Sequence, residues 1–117
     1  MPKLLIVDDE IDIREFAKNF FKKRNIEVFT SSGGVEAFNI INTEKPDLVL
    51  LDVRMEEMNG VDLLKKLREQ NNQVKVIMVT GVEDEETVNE AHALGIKGYI
   101  HKPLVLDELE KVVLKEL

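Results

Sequence analysis

The sequence predicts an α/β protein: a five-stranded parallel sheet covered by helices on both faces. Three observations predict it. Short apolar runs recur along the chain, stretches with helical spacing separate them, and glycine or proline stands at the junctions. Strands that alternate with helices pair in parallel, because each crossover returns the chain to the same edge of the sheet.

The elements follow in order. LLIV (4–7) is the first strand, and Ile13, Phe16, Ala17, Phe20 and Phe21 form the apolar stripe of the first helix. VF (28–29) is the second strand, followed after Gly33-Gly34 by a helix whose stripe is Val35, Phe38 and Ile41. After Pro46, LVLL (48–51) is the third strand, and past Gly60 the residues Val61, Leu64 and Leu67 mark the third helix. VIMV (76–79) is the fourth strand, with Val88, Ala91 and Leu94 on the helix behind it. Between Gly95 and Gly98 the chain turns into YI (99–100), and Leu106, Leu109, Val113 and Leu117 stripe the last helix. LLIV, LVLL and VIMV are apolar at every position, as central strands covered on both faces require. The runs at 28–29 and 99–100 are short with polar neighbours, so they belong at the edges. A strand order of 2-1-3-4-5 satisfies both conditions. That is the flavodoxin-like arrangement, which binds ligands at the carboxyl ends of its strands, beside the switch point between strands 1 and 3.

Composition narrows the function classes. At 117 residues the chain is expected to be one domain, spanning 1–117. A hydrophobic fraction of 44% and a charged fraction of 33% suit a soluble globular protein. Cysteine is absent, so disulfides and thiolate metal sites are excluded, and a cytoplasmic location is expected. No apolar run reaches the length of a membrane span. A net charge of −7 argues against direct nucleic-acid binding.

The chemistry is written at the strand ends. LLIV runs into Asp8-Asp9-Glu10, LVLL into Asp52, VIMV into Thr80, and YIH into Lys102-Pro103. In a parallel sheet these ends share one edge, with neighbouring strands about 4.8 Å apart. Asp8, Asp9 and Asp52 therefore crowd the switch point, with Thr80 and Lys102 opposite them. Crowded carboxylates call for a cation, and an all-oxygen set suits a hard one such as Mg²⁺. Such a site, with a lysine beside it, can hold a phosphoryl group, and Asp52 is the natural nucleophile to accept it as an acyl phosphate. Taken singly, Asp9 reads as a helix cap, Asp52 as a turn former, Thr80 as a cap and Lys102 as a solvated lysine. Together, at successive strand ends, those readings fail. The run EDEE (83–86) reads as the dipole-favoured first turn of the fourth helix, and neither His92 nor His101 reads as a metal ligand.

These motifs resemble the receiver domain of bacterial two-component response regulators. IVDDE, LLDVRM with Gly60 eight residues past Asp52, Thr80-Gly81 and Lys102-Pro103 carry the resemblance across the whole chain. It implies that Asp52 takes a phosphoryl group from the histidine of a sensor kinase or phosphotransfer protein. It implies Mg²⁺ on Asp9, Asp52 and the backbone carbonyl of Arg54, with Asp8 acting largely through water. Lys102 would pair with one phosphoryl oxygen and Thr80 would close on another. Tyr99 occupies the switch-aromatic position, and the Lys102-Pro103 peptide is expected to be cis. The output face would be the fourth helix, fifth strand and fifth helix, residues 84–117, which would meet a downstream protein or output domain. The resemblance also allows a phosphorylation-dependent dimer, and implies no enzyme activity beyond self-phosphorylation and its reversal.

This chain departs from the family pattern in places. Glu56 stands where proline is usual, Leu104 replaces a phenylalanine, and Arg54 and Val82 flank the expected phosphoryl site. Rival classes fit less well. A haloacid-dehalogenase phosphatase needs two aspartates one residue apart, whereas Asp8 and Asp9 are adjacent. A flavodoxin needs a Ser/Thr/Gly-rich loop where this chain has DDEID, and no Walker loop or GxGxxG is present. The remaining alternative is a receiver-like scaffold that binds proteins without being phosphorylated.

Overall fold

The computed structural model describes residues 1–55, 58–81 and 85–117 of the chain. Its strands are β1 (Lys3–Val7), β2 (Glu27–Ser31), β3 (Leu48–Asp52), β4 (Lys75–Thr80) and β5 (Gly98–His101). The helices that alternate with them are α1 (Ile11–Lys22), α2 (Gly34–Glu44), α3 (Gly60–Glu69), α4 (Glu85–Ala93) and α5 (Leu106–Glu116). All strand pairs are parallel, in the order β2-β1-β3-β4-β5. The expected order and the two edge strands are therefore those observed.

Residue parity divides the core. Leu5, Val7, Val49, Leu51, Val76 and Met78 face α2, α3 and α4, packing on Ala37, Ile41, Leu63, Leu64, Leu67 and Ala91. Their even or odd neighbours Leu4, Ile6, Leu48, Leu50, Ile77, Val79 and Ile100 face α1 and α5, against Ala17, Phe21, Leu109 and Val113. Every side chain of the runs 4–7, 48–51 and 76–79 is thus buried on one face or the other. That explains why LLIV, LVLL and VIMV show no polar alternation.

Several expectations need correction. β2 is longer than the pair 28–29, because Glu27, Thr30 and Ser31 are edge residues whose pairing with β1 is invisible to an apolar count. Phe16, Val35 and Leu106 belong to their helical stripes by spacing, yet all three are exposed, since they lie at the margin of the buried arc. Leu63, outside the expected stripe, is buried with Leu64. Gly34 and Gly60 are the first residues of α2 and α3, not breaks between segments. Asp9 does not cap α1, whose N-cap is Glu10 with no side-chain cap bond. The helix expected from EDEE begins at Glu85, while Glu83, Asp84, Val82 and Glu56 lie outside the described residues.

Candidate functional site

The register places the acids. Val7 pairs with Leu51 and Asp52 pairs with Val79, so Asp8 follows one strand end and Asp52 completes the next. Asp8, Asp52 and Lys102 share the parity of Ile6, Leu50 and Ile100, which turns all three toward the α1/α5 side. The Asp8 N–H remains tied to Ser31 O at 3.1 Å, and its Oδ1 accepts from the Glu10 N–H at 2.9 Å. Arg14, one turn into α1, donates to the Asp8 carbonyl at 2.7 Å.

Asp52 is 4% exposed, Asp8 2% and Thr80 1%, so all three polar groups at the carboxyl edge of the sheet are buried. Lys102 Nζ lies 3.1 Å from Asp8 Oδ2, 3.3 Å from Asp52 Oδ2 and 3.6 Å from Glu10 Oε1. The lysine therefore stands between the carboxylates, not across from them, and supplies a cation of the protein's own. Its backbone N–H donates to Thr80 O at 2.8 Å, which sets β5 beside β4 and aims the side chain inward. The Lys102–Pro103 peptide is cis.

The electrostatics follow from that geometry. Burial pushes the Asp52 carboxyl up to about 6 and the Asp8 charge adds to the rise, while Lys102 and the Arg54 N–H (3.3 Å to Oδ1) pull it back. For Lys102, burial favours the neutral amine. The hydrogen bond to Asp8 and the charges of Asp52 and Asp8 outweigh it, holding the ammonium above its usual pKa. A carboxylate this buried, held charged mainly by a lysine, can act as a nucleophile toward an electrophile whose oxygens receive hydrogen bonds from the same ammonium.

The loop after Asp52 is shaped by Gly60. A Cβ there would lie 2.2 Å from the Asp52 carbonyl oxygen, so the helix start can press on β3 only without a side chain. Gly60 N–H donates to Val53 O at 2.8 Å, and Asn59 caps α3 by accepting from the Val61 N–H at 2.8 Å. Thr80 is buried at the end of β4, with the parity of Met78. Tyr99, half-buried on the α4 side, has its ring 6.4 Å from that of His92 and 5.2 Å from that of His101. Arg54 is exposed.

The donor set fits a hard cation. Among the described residues, carboxylate oxygens of Asp8, Asp9 and Glu10 all lie within 4.8 Å of one another, with no soft donor present. Asp52 is brought to Asp8 through Lys102, while Asp9 is exposed at the opening. Glu10 was not singled out in the sequence, although its place directly after the acid pair was a usable signal. Arg14 was also missed, and its spacing of one helical turn from Glu10 is the only hint the sequence holds.

Comparison with known proteins places this site in a family. The response regulator receiver domain family matches residues 4–114. The chain is 34% identical over 115 residues to sporulation initiation phosphotransferase F of Bacillus subtilis, covering 98% of this chain and 93% of that protein. It is 38% identical over 116 residues to chemotaxis protein CheY of Listeria monocytogenes, covering 95% and 98%. The response regulator TrrA of Thermotoga maritima, solved in complex with Mg(2+)-BeF, superposes with a TM-score of 0.88 at 30% identity, covering 100% of both chains. The chain belongs to the response regulator receiver domain family. It is a signalling domain of the two-component type, with the flavodoxin-like topology of CheY-like proteins.

Proposed function

We propose that Asp52 is the phosphoacceptor and that residues 1–117 act as one phosphorylation-driven switch. The observation that carries this reading is a single lysine shared between two buried carboxylates, 3.1 Å from Asp8 and 3.3 Å from Asp52. An Asp52 oxygen attacks the phosphorus of a phosphohistidine on a sensor kinase or phosphotransfer protein. The N–P bond breaks, its electrons return to the imidazole, and an O–P bond forms at Asp52. Lys102 pairs with a phosphoryl oxygen, and Thr80 donates its hydroxyl to another. Asp9, Asp52 and the Arg54 carbonyl, with Asp8 acting largely through water, would hold Mg²⁺, which would supply neutralising charge for the phosphoryl oxygens. The relative solved with Mg(2+)-BeF supports that assignment.

Thr80 movement draws the α4 side inward and Tyr99 follows, biasing a two-state α4–β5–α5 face that a downstream protein, an output domain or a second copy reads. The setting is cytoplasmic, and none of the described helices is long and apolar enough to cross a membrane. Incubation with acetyl phosphate and Mg²⁺, followed by intact mass, tests the chemistry. Wild type and Asp47→Asn should gain one phosphoryl group, and Asp52→Asn none. Full labelling of Asp52→Asn would move the acceptor elsewhere. An unlabelled wild type would leave the scaffold reading.

A further inference from the structure

Lys102 has a third partner that the phosphoacceptor chemistry does not use. Asp8 and Asp52 have side chains 3% and 4% exposed, whereas the Glu10 side chain is 62% exposed and still reaches within 3.6 Å of the ammonium. It is held there by its backbone, because the Glu10 N–H donates to Asp8 Oδ1. Glu10 and Asp12 also border a groove of about 590 Å³ that runs from Phe16 to Lys102, the lysine that contacts Asp52.

We propose that Glu10 is a specificity-determining residue, whose carboxylate at the mouth of the acceptor pocket selects against free anionic phosphodonors. This rests on the reading of Asp52 as acceptor. A small donor reaches Asp52 by diffusion alone and must carry its negative charges past Glu10. A protein donor is held by contacts elsewhere, so the same repulsion is a minor part of its encounter. The penalty therefore grows with the donor's charge and fades as salt screens it.

The chain of residues 1–117 tests this with two probes, dianionic acetyl phosphate and phosphoramidate, whose ammonium cancels one of its charges. Mg²⁺ affinity is measured first from amide shifts, and every protein is then held at saturating metal. Glu10→Gln should be labelled roughly three- to tenfold faster than wild type by acetyl phosphate at low salt. The gain should be smaller with phosphoramidate, and both gains should approach one at about 1 M KCl. Glu69→Gln, at the far end of α3, should behave as wild type, which separates a local effect from net charge. Equal rates for wild type and Glu10→Gln overturn the proposal. So does a gain that ignores donor charge or salt, or one that Glu69→Gln shares. A wild type that neither probe labels overturns the acceptor reading itself, a different result from a labelled wild type that Glu10→Gln merely matches.

Discussion

At the residue scale, Asp52 is governed by opposing influences, of which burial is the largest. Burial and Asp8 raise its pKa to about 6 against an ordinary 3.8, and Lys102 only partly restores it. Between those values the folded chain keeps a proton that the unfolded chain has lost. The Asp52 contribution to stability is therefore fully present below pH 3.8 and is lost as pH rises through about 6. A rise of that size corresponds to about 3 kcal/mol. Asp52→Asn removes this term while leaving the other acids in place, so the difference between the two proteins isolates it. In EDTA, urea unfolding at pH 4 and at pH 7.5 should show the variant gaining on wild type at the higher pH. A difference that does not change with pH would contradict the electrostatic account.

At the element scale, backbone contacts position the side chains. Gly60 lets α3 begin against β3, and Gly60→Ala would place its methyl 2.2 Å from the Asp52 carbonyl oxygen. Backbone cannot yield as a flexible side chain does, so a loss of about 1–3 kcal/mol is expected, together with slower labelling of Asp52. Calorimetry and the labelling rate check this jointly, and an unchanged melting temperature would refute the close approach.

At the opposite end of the sheet, Arg68 joins two loops. Its guanidinium donates to Leu94 O at 2.8 Å, Asn72 O at 2.8 Å, Val74 O at 3.0 Å and Gly95 O at 3.3 Å, and burial lowers its pKa. Arg68→Met keeps the stem but strands those carbonyls, and about 2–4 kcal/mol should be lost. Arg68→Lys should recover only part, because an ammonium lacks the planar fork. Urea midpoints that match wild type for both variants would show that water replaces the guanidinium freely.

At the scale of the whole molecule, a metal held by the acids would couple its binding to folding. Asp52 meets the adjacent pair Asp8-Asp9 only in the folded chain, so Mg²⁺ held among them should stabilise by about 2.7 kcal/mol at a hundred times its dissociation constant. Asp9→Asn should raise the melting temperature in EDTA and shrink the further gain on adding Mg²⁺. Melts of both proteins under both conditions check this, and wild-type stability indifferent to Mg²⁺ would argue against a metal site.

The sequence by itself determined the strand order and the strand-end polar set. An apolar run without alternation requires cover on both faces, and a parallel sheet gathers its strand ends on one edge. Those are constraints of period and topology, and both are legible in one dimension. Only the tertiary structure decided the rest. The sequence showed Lys102 as one of the facing residues, but its place between Asp8 and Asp52 depends on the parity and register of strands distant in the chain. The exposure of Phe16 and Val35 depends on which arc of each helix meets the sheet. The close approach at Gly60 depends on a carbonyl eight residues earlier being folded back beneath it. Each of these is a distance between residues that the chain brings together only by folding, so spacing along the sequence does not encode it.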